Sequence, residues 1–292
     1  NGYYYPAEGA QQRQECRPCQ AGEYCIENDG EPRVCPAGHY CDAVTTEPTP
    51  CRIGFYQPEK GARSIDSCLA CPSGYHCNTV GISDYTLFPC PTGHYCFEVA
   101  KTTNATACPA GTYQPYLAQN SIDNCLECPE GHFCRSGVEY PEPCDAGYIC
   151  PKGSAKQFSC APSTYCPAMS SEPLPCPAGF HCPGYRTDIY AKCTNGTYCA
   201  EASRFPETCP AGYFGSSNTS NFDVNSGCFA CGAGQYSNAG SNTCEDCYAG
   251  FVCEAAARKP NPRDRKLDGG YECPKGFYCP VASTTPIACP LG

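Results

Sequence analysis

The chain has 292 residues, a formal net charge of −10 and 32 cysteines. Leu, Ile, Val and Phe together number only 35, too few to fill the single hydrophobic core that a globular domain of this length would have. So many cysteines are typical of secreted modules that disulfides stabilise. The dispersed negative charge argues against nucleic acid as a partner, and no run of about 18 apolar residues is present to span a membrane.

Both ends of the chain lie within a repeat. Residues 1–16 (NGYYYPAEGAQQRQEC) align with residues 53–68 (IGFYQPEKGARSIDSC), which places a cysteine two residues before Asn1. At the other end, CPLG at 289–292 is the first half of another unit. We therefore expect these residues to be part of a longer array.

A short motif recurs along the chain: a cysteine, two residues, a glycine, one residue and an aromatic ring. In most copies a second cysteine follows at once, as in CPAGHYC at 35–41. Pro at the second position and Gly at the fourth predict a tight turn, and the ring is placed to cover the nearest disulfide. CAPSTYC at 160–166 has no glycine, so a locally different turn is expected there. The closed copies begin and end at cysteines 19/25, 35/41, 71/77, 90/96, 128/134, 144/150, 160/166, 176/182, 193/199, 247/253 and 273/279.

Four copies lack the second cysteine and begin at Cys51, Cys108, Cys209 and Cys231. Each leads to a C-x2-C pair further along the chain. Between units lie spacers of usually nine residues, which have no helical period and favour extended backbone. The predicted fold class is therefore small disulfide-rich repeats: an elongated rod of short β-hairpins, turns and coil, with almost no helix and no single hydrophobic core.

Paired cysteines have three possible roles here: a metal site, a redox-active thiol pair or a covalent staple. Structural zinc uses C-x2-4-C pairs, whereas C-x5-C dominates, and the five histidines exchange with Tyr or Phe between copies. A redox C-x-x-C needs a βαβ setting, which is not predicted. The staple is favoured, with no metal and no cofactor beyond covalent glycans. Closing a loop such as Cys41 to Cys51 would then add about 2–3 kcal/mol.

The order C-P-x-G-x-Y, spacer, C-x2-C-P-x-G is similar to the ephrin-receptor-like cysteine-rich repeat, and more loosely to tumour-necrosis-factor-receptor and growth-factor-receptor (EGF-like) modules. The best match is CFACGAGQYSNAGSNTCEDCYAG at 228–250. In the family's module the first cysteine pairs with the third and the second with the fourth, which implies Cys228–Cys244 and Cys231–Cys247. Long arrays of CPxGxYC also resemble surface and matrix proteins of single-celled eukaryotes, which implies an architectural role.

Repeat spacing divides the chain into five predicted segments. The distances from Cys51 to Cys108 and from Cys68 to Cys125 are both 57 residues. The segments are cysteine-rich repeats truncated at their start (1–50), a cysteine-rich repeat of the 57-residue period (51–107), cysteine-rich repeats with CPxGxYC spacers (108–208), an ephrin-receptor-like repeat (209–253), and a basic loop with a final truncated repeat (254–292).

Several residues are candidates for glycans. N-glycosylation sequons lie at Asn104, Asn195 and Asn218. Spacers rich in Ser, Thr and Pro offer possible O-glycosylation at Thr45, Thr46, Thr284 and Thr285. In an extracellular chain these positions are expected to be exposed and modified.

One basic cluster interrupts the acidic chain: RKPNPRDRK at 258–266, in the longest gap between cysteines. It is either a solvated loop or a contact for a sulfated or carboxylated glycan. The candidate polyanion contacts are Arg258, Lys259, Arg263, Arg265 and Lys266.

The predicted function follows from the staples. No catalytic motif is found, so the chain is not expected to be an enzyme. The leading hypothesis is a structural extracellular glycoprotein, a disulfide-stapled repeat rod in a filament, appendage, surface coat or matrix. Its expected partner is itself, as a homo-oligomer or filament, together with other surface proteins or glycans. The alternatives are the ectodomain of a receptor or adhesion protein at the cell surface, serving as a stalk or ligand-binding arm, and a metal-storage protein.

Overall fold

A computed structural model describes residues 2–5, 16–26, 31–97, 105–215 and 222–290. Its regular structure consists of strands of two or three residues. The strands are β1 Tyr3–Tyr4, β2 Arg17–Pro18, β3 Glu23–Tyr24, β4 Arg33–Val34, β5 His39–Tyr40, β6 Thr49–Pro50, β7 Phe55–Tyr56, β8 Leu69–Ala70, β9 His94–Tyr95, β10 Thr106–Ala107, β11 Thr112–Tyr113, β12 Leu126–Glu127, β13 His132–Phe133, β14 Glu142–Pro143, β15 Tyr148–Ile149, β16 Phe158–Ser159, β17 Thr164–Tyr165, β18 Leu174–Pro175, β19 Phe180–His181, β20 Ala191–Lys192, β21 Thr197–Tyr198, β22 Glu207–Thr208, β23 Tyr213–Gly215, β24 Cys228–Ala230, β25 Gln235–Tyr236, β26 Glu245–Asp246, β27 Phe251–Cys253, β28 Gly270–Glu272, β29 Phe277–Tyr278 and β30 Ile287–Ala288.

Each odd-numbered strand pairs with the next strand, so the sheets are two-stranded hairpins. In one example β5 and β6 are antiparallel, with Tyr40 opposite Thr49. Among the described residues, helix is limited to the four-residue α1 (Val224–Gly227) and to 3-10 turns at Ile65–Ser67, Tyr85–Leu87 and Ile122–Asn124. The predicted fold class of small disulfide-rich hairpin repeats with almost no helix is confirmed.

A tight turn directly before the first strand of each hairpin requires one residue in the left-handed region, which we call the turn residue. In the hairpin that opens at Cys35 it is Gly38, with φ +83°, a conformation that glycine adopts without a steric cost. In CAPSTYC it is Ser163, with φ +73°. The Ser163 carbonyl accepts from the Cys176 amide, as that of Gly38 does from Cys51. The expectation of a locally different turn at 160–166 is therefore wrong, because serine adopts the glycine geometry.

Backbone hydrogen bonds join neighbouring hairpins in the described parts of the chain, in three recurring positions. The Gly38 amide donates to the Gln57 carbonyl (2.8 Å), and the Cys41 amide donates to the Ala62 carbonyl (3.0 Å). In return, the Gly61 amide donates to the Cys35 carbonyl (2.8 Å). We call these three contacts the inter-hairpin bonds. They satisfy backbone groups that short hairpins alone would leave unpaired.

In the third contact, one residue donates its backbone amide to the carbonyl of the cysteine that opens the preceding hairpin. We call it the spacer residue, and it also has a positive φ. It lies three or four residues after the seven-residue motif of its own hairpin. Where it is not glycine, the left-handed backbone costs about 1–2 kcal/mol, so the hydrogen bond has to hold it there. The spacer residues are Val44, Gly61, Gly81, Ala118, Gly137, Gly153, Met169, Arg186, Ala202, Gly240, Ala256 and Ala282.

The buried material is mostly cystine. Nearly all disulfide cysteines are less than 9% exposed, and aromatic rings pack against them. Tyr236 lies in a buried cluster with Cys247, Cys253 and Ala257, and Tyr56 packs against a cluster containing Cys71 and Cys77. In both cases the ring covers the disulfide of the following hairpin. The small cores are thus shared between neighbouring hairpins rather than belonging to one unit each.

The chain divides into two compact units, one of Asn1–Glu142 with Lys152–Lys156 and one of Pro143–Pro151 with Gln157–Gly292. Hairpins, staples and inter-hairpin bonds recur within each unit. The five segments based on repeat spacing remain a prediction. In the described residues, no helix has the length or the apolar character needed to cross a membrane.

Candidate functional site

The cysteines form fifteen disulfides among the described residues. Each closed C-x5-C copy is bridged within its own hairpin, as Cys35–Cys41 is, with 5.9 Å between Cα atoms. The suggested loop from Cys41 to Cys51 is therefore wrong, since Cys51 bonds to Cys68. In the chain-entropy model each of these short loops contributes about 2–3 kcal/mol. Cys16 and Cys289 are exposed and have no disulfide partner within the described ranges.

The pairing implied by the resemblance, Cys228–Cys244 and Cys231–Cys247, is wrong. The bonds are Cys209–Cys228, Cys231–Cys244 and Cys247–Cys253. Cys247 opens a closed copy and is bridged locally by Cys253, which removes it as a partner for Cys231. The hairpin β25–β26 instead brings Cys244, directly before β26, next to Cys231, with 5.7 Å between Cα atoms.

Three of the four open hairpins carry a buried polar residue where closed hairpins carry the second cysteine: Gln57, Gln114 and Ser237, whereas the copy that begins at Cys209 has Gly215 there. Gln114 is 1% exposed; its side-chain amide donates to the Asn124 carbonyl, and its side-chain oxygen accepts from the Tyr116 amide. Gln57 makes the equivalent bonds to Ser67 and Glu59. Each side-chain amide thus bonds to the residue directly before the distant cysteine, beside the disulfide Cys51–Cys68 or Cys108–Cys125 that closes the longer loop. The motif C-x-x-G-x-Y-Q was the available signal, and sequence reasoning missed it.

Four of the five histidines, His39, His94, His132 and His181, lie on hairpin strands. The ring Nδ1 atoms of His39, His94 and His132 lie 3.2, 2.9 and 3.0 Å from the carbonyl oxygen two residues before each. A carbonyl only accepts, so the ring donates its Nδ1 hydrogen to its own backbone turn. In the described ranges, no three His, Cys, Asp or Glu side chains cluster in a way that could hold a metal ion.

The candidate glycan positions have different exposures. Asn195 is exposed, in the turn between Cys193 and β21. Thr284 and Thr285 are exposed, while Thr45 and Thr46 are half-buried. Asn104 and Asn218 lie outside the described residues.

The basic cluster lies in a loop between β27 and β28, which we call the basic loop (254–269). Asp268 is its centre: the carboxylate lies 2.8 Å from the Lys259 ammonium and accepts from the amides of Arg263 (2.9 Å) and Asp264 (3.1 Å). The ammonium and the two amides lower the pKa of the Asp268 carboxyl to about 2. The loop is therefore ordered by its own carboxylates.

The five candidate cations fall into two groups. Lys259 is paired with Asp268, and Arg265 with Glu254, while Arg265 also stacks 4.9 Å from the centre of the Tyr271 ring. The side chains of Arg258, Arg263 and Lys266 are exposed and have no ion pair within the described part of the chain. Only the second group is available to a ligand.

Two tyrosines are held by carboxylates across their hairpins. The Tyr236 hydroxyl donates to Glu245 at 2.6 Å, and the Tyr198 hydroxyl donates to Glu207 at 2.5 Å. Because the neutral hydroxyl is the donor, the hydrogen bond to Glu245, with burial, raises the pKa of Tyr236 to about 12. The same contact with Glu207 raises the pKa of Tyr198. These pairs join the two strands side by side.

Comparison with known proteins adds no relative. No protein-family model matches the chain, and no curated protein matches it significantly.

Proposed function

We propose that the chain is a structural part of an extracellular filament, appendage, surface coat or matrix. Disulfides at this density indicate an oxidising location, secreted or at the cell surface. The observation that carries the proposal is the set of inter-hairpin bonds, such as Gly38 to Gln57 and Gly61 to Cys35. Backbone hydrogen bonds join neighbouring hairpins in the same way from copy to copy, and rings such as Tyr56 and Tyr236 add packing against the next disulfide. The same contacts can therefore continue along an array.

Such an arrangement suits a structural element that has to resist unfolding along its length. Units that contact chiefly their neighbours behave as a quasi-one-dimensional array whose stability adds along the chain. Staples inside each hairpin prevent a unit from unravelling when its neighbour opens, since a cross-link limits the entropy gained by unfolding. Catalysis is not part of the proposal.

Exposed tyrosines are the proposed contacts between copies. Tyr116, Tyr140 and Tyr185 are 63, 63 and 71% exposed. A tyrosine ring offers a wide and rigid contact surface with a polar edge, and such rings are enriched at protein interfaces. Lateral contact between identical surfaces builds open assemblies when its rotation does not close.

The proposed likeness to ephrin-receptor-like repeats rests on the sequence motif alone, because the cysteine pairing differs from the family's. We retain the ectodomain of a receptor or adhesion protein as the alternative. Uniformly single, membrane-tethered molecules in electron micrographs of native material would favour it over the filament.

The test is self-association of the glycosylated, secreted protein. Sedimentation velocity over a range of concentrations should show assembly, and the triple variant Tyr116→Ser, Tyr140→Ser, Tyr185→Ser should weaken it. The matched triple variant with Phe at the same positions keeps the rings and should assemble nearly as well. Small-angle scattering of the monomer should give a radius of gyration well above the roughly 19 Å of a compact domain of this length. A monomer at all concentrations would refute the proposal.

A further inference from the structure

We propose that the basic loop, together with Tyr248, binds an acidic polysaccharide, a linear glycan carrying sulfate or uronate groups. The first support is that the loop is fixed. The Glu254 amide donates to the Gly269 carbonyl (2.8 Å) and the Arg258 amide to the Asp268 carbonyl (2.9 Å). Pro262, within the loop, is fully buried. A loop already held in one conformation binds without the entropic cost of ordering.

The second support is the distribution of charge within the loop. Its carboxylates are already engaged: Glu254 by Arg265, Asp268 by Lys259, and Asp264 by the amides of Lys266 (2.9 Å) and Leu267 (3.0 Å). Two of the three carboxylates are thus ion-paired, while the amides bonded to Asp264 add no charge. With five Lys and Arg against three Asp and Glu in residues 254–269, the loop carries a surplus of positive charge on a chain whose net charge is −10.

The third support is that the backbone positions of the remaining cations are held close together. The backbone amides of Arg258 and Arg263 both bond to Asp268, which holds these two residues close to one another. The Lys266 amide is bonded to Asp264 in the same turn. Guanidinium groups form paired hydrogen bonds with carboxylate and sulfate, and an ammonium adds a point charge. Two guanidinium groups and one ammonium on the same loop suit successive anionic groups along a polysaccharide chain.

The fourth support distinguishes a sugar from other polyanions. Tyr248 is 57% exposed, and its backbone amide donates to the Pro260 carbonyl (3.0 Å), so this residue lies next to the loop. An exposed ring next to fixed cations offers an apolar face to the C–H groups of a sugar while the cations bind its acidic substituents. This inference goes beyond the proposed function and does not require self-association.

The experiment measures binding of the monomeric, secreted protein to immobilised heparin and polygalacturonate, with neutral dextran as the blank. The triple variant Arg258→Gln, Arg263→Gln, Lys266→Gln should lose at least about tenfold in affinity, because charge-assisted contacts are removed. The matched triple variant Arg17→Gln, Lys60→Gln, Lys192→Gln removes the same charge from exposed positions elsewhere and should change affinity less than about threefold by long-range electrostatics alone.

The ring is tested separately. Tyr248→Ser should weaken binding to both polysaccharides while Tyr248→Phe retains it. Equal losses in the two triple variants would show only diffuse charge attraction and overturn the proposal. So would absence of binding by the unmodified chain, or tighter binding to single-stranded DNA than to either polysaccharide. Since monomers are measured, such a failure leaves the self-association test unaffected.

Discussion

The carbonyl oxygen of Gly81 occupies the space that a side chain on Gly38 would need, because a Cβ built on Gly38 would lie 2.1 Å from that oxygen. Gly38 is the turn residue of one hairpin, and Gly81 is a spacer residue two hairpins further on. The turn glycine therefore has two roles. It adopts φ +83°, and it lets backbone from a later part of the chain pack directly over the turn.

Replacing Gly38 should be costly for both reasons. The left-handed backbone costs about 1–2 kcal/mol in any residue with a Cβ, and overpacking against Gly81 adds about 1–3 kcal/mol. We expect Gly38→Ala to speed hydrogen exchange in residues 35–51 and around Gly81. Gly276→Ala is the matched control, since Gly276 has φ +85° with no atom within 4 Å of its added Cβ. Equal effects of both substitutions would contradict the packing contribution.

Ser163 offers the reverse test. With φ +73° it bears a left-handed strain that glycine would not, so Ser163→Gly should stabilise its hairpin by about 1 kcal/mol. Slower hydrogen exchange of the Cys176 and Ser163 amides would report this. Ser159→Gly, in the regular strand β16, should instead destabilise by about 0.5–1 kcal/mol. Destabilisation by Ser163→Gly would indicate that the serine side chain contributes a stabilising contact.

The disulfide partner of the cysteine that opens each motif should depend on the residue at the seventh position of that motif. In the double variant Gln114→Cys, Cys125→Ala we expect Cys108 to bond to the cysteine introduced at position 114. The hairpin then matches closed copies such as Cys128–Cys134, whose Cα atoms lie 5.9 Å apart. Peptide mapping without reduction identifies the bond. Cys125→Ala alone should leave Cys108 as a free thiol. If Cys108 reacts with a thiol reagent in both variants, the two kinds of hairpin differ in more than this residue.

The Tyr236–Glu245 pair predicts a loss of stability at high pH. The pKa of Tyr236 is raised from 10.0 to about 12, so the folded state favours the neutral hydroxyl. The contribution to stability is complete below pH 10 and is lost as the pH rises from 10 to about 12, since the unfolded chain then ionises first. Urea unfolding at each pH measures this, after alkylation of free thiols to prevent exchange.

Glu245→Gln is the control for the tyrosine. It keeps an acceptor for the hydroxyl but removes the negative charge, so ionisation of Tyr236, followed by absorbance near 295 nm, should move toward pH 10. An unchanged titration in this variant would assign the shift to burial alone.

Local features of this protein could be predicted from the sequence because their causes are local. The Cys-Pro-x-Gly turn at 35–38, the closing cysteine at 41 and the ring between them lie within seven residues. Their spacing alone therefore favours a hairpin and a staple. Ser163 shows where this reasoning was too strict, since the missing glycine did not change the turn.

The sequence by itself determined that the chain is a series of short stapled hairpins without a common core, because turns and seven-residue disulfide loops depend only on neighbouring residues. Tertiary structure decided the rest: the partner of Cys231, the burial of Gln114 and the left-handed spacer residues such as Ala118. Cys231 and Gln114 have partners 13 and 10 residues away across their own hairpins, while the Ala118 amide bonds to Cys90 in the preceding hairpin. Such contacts form only when strands pair and hairpins pack together, and no pattern of neighbouring residues specifies them.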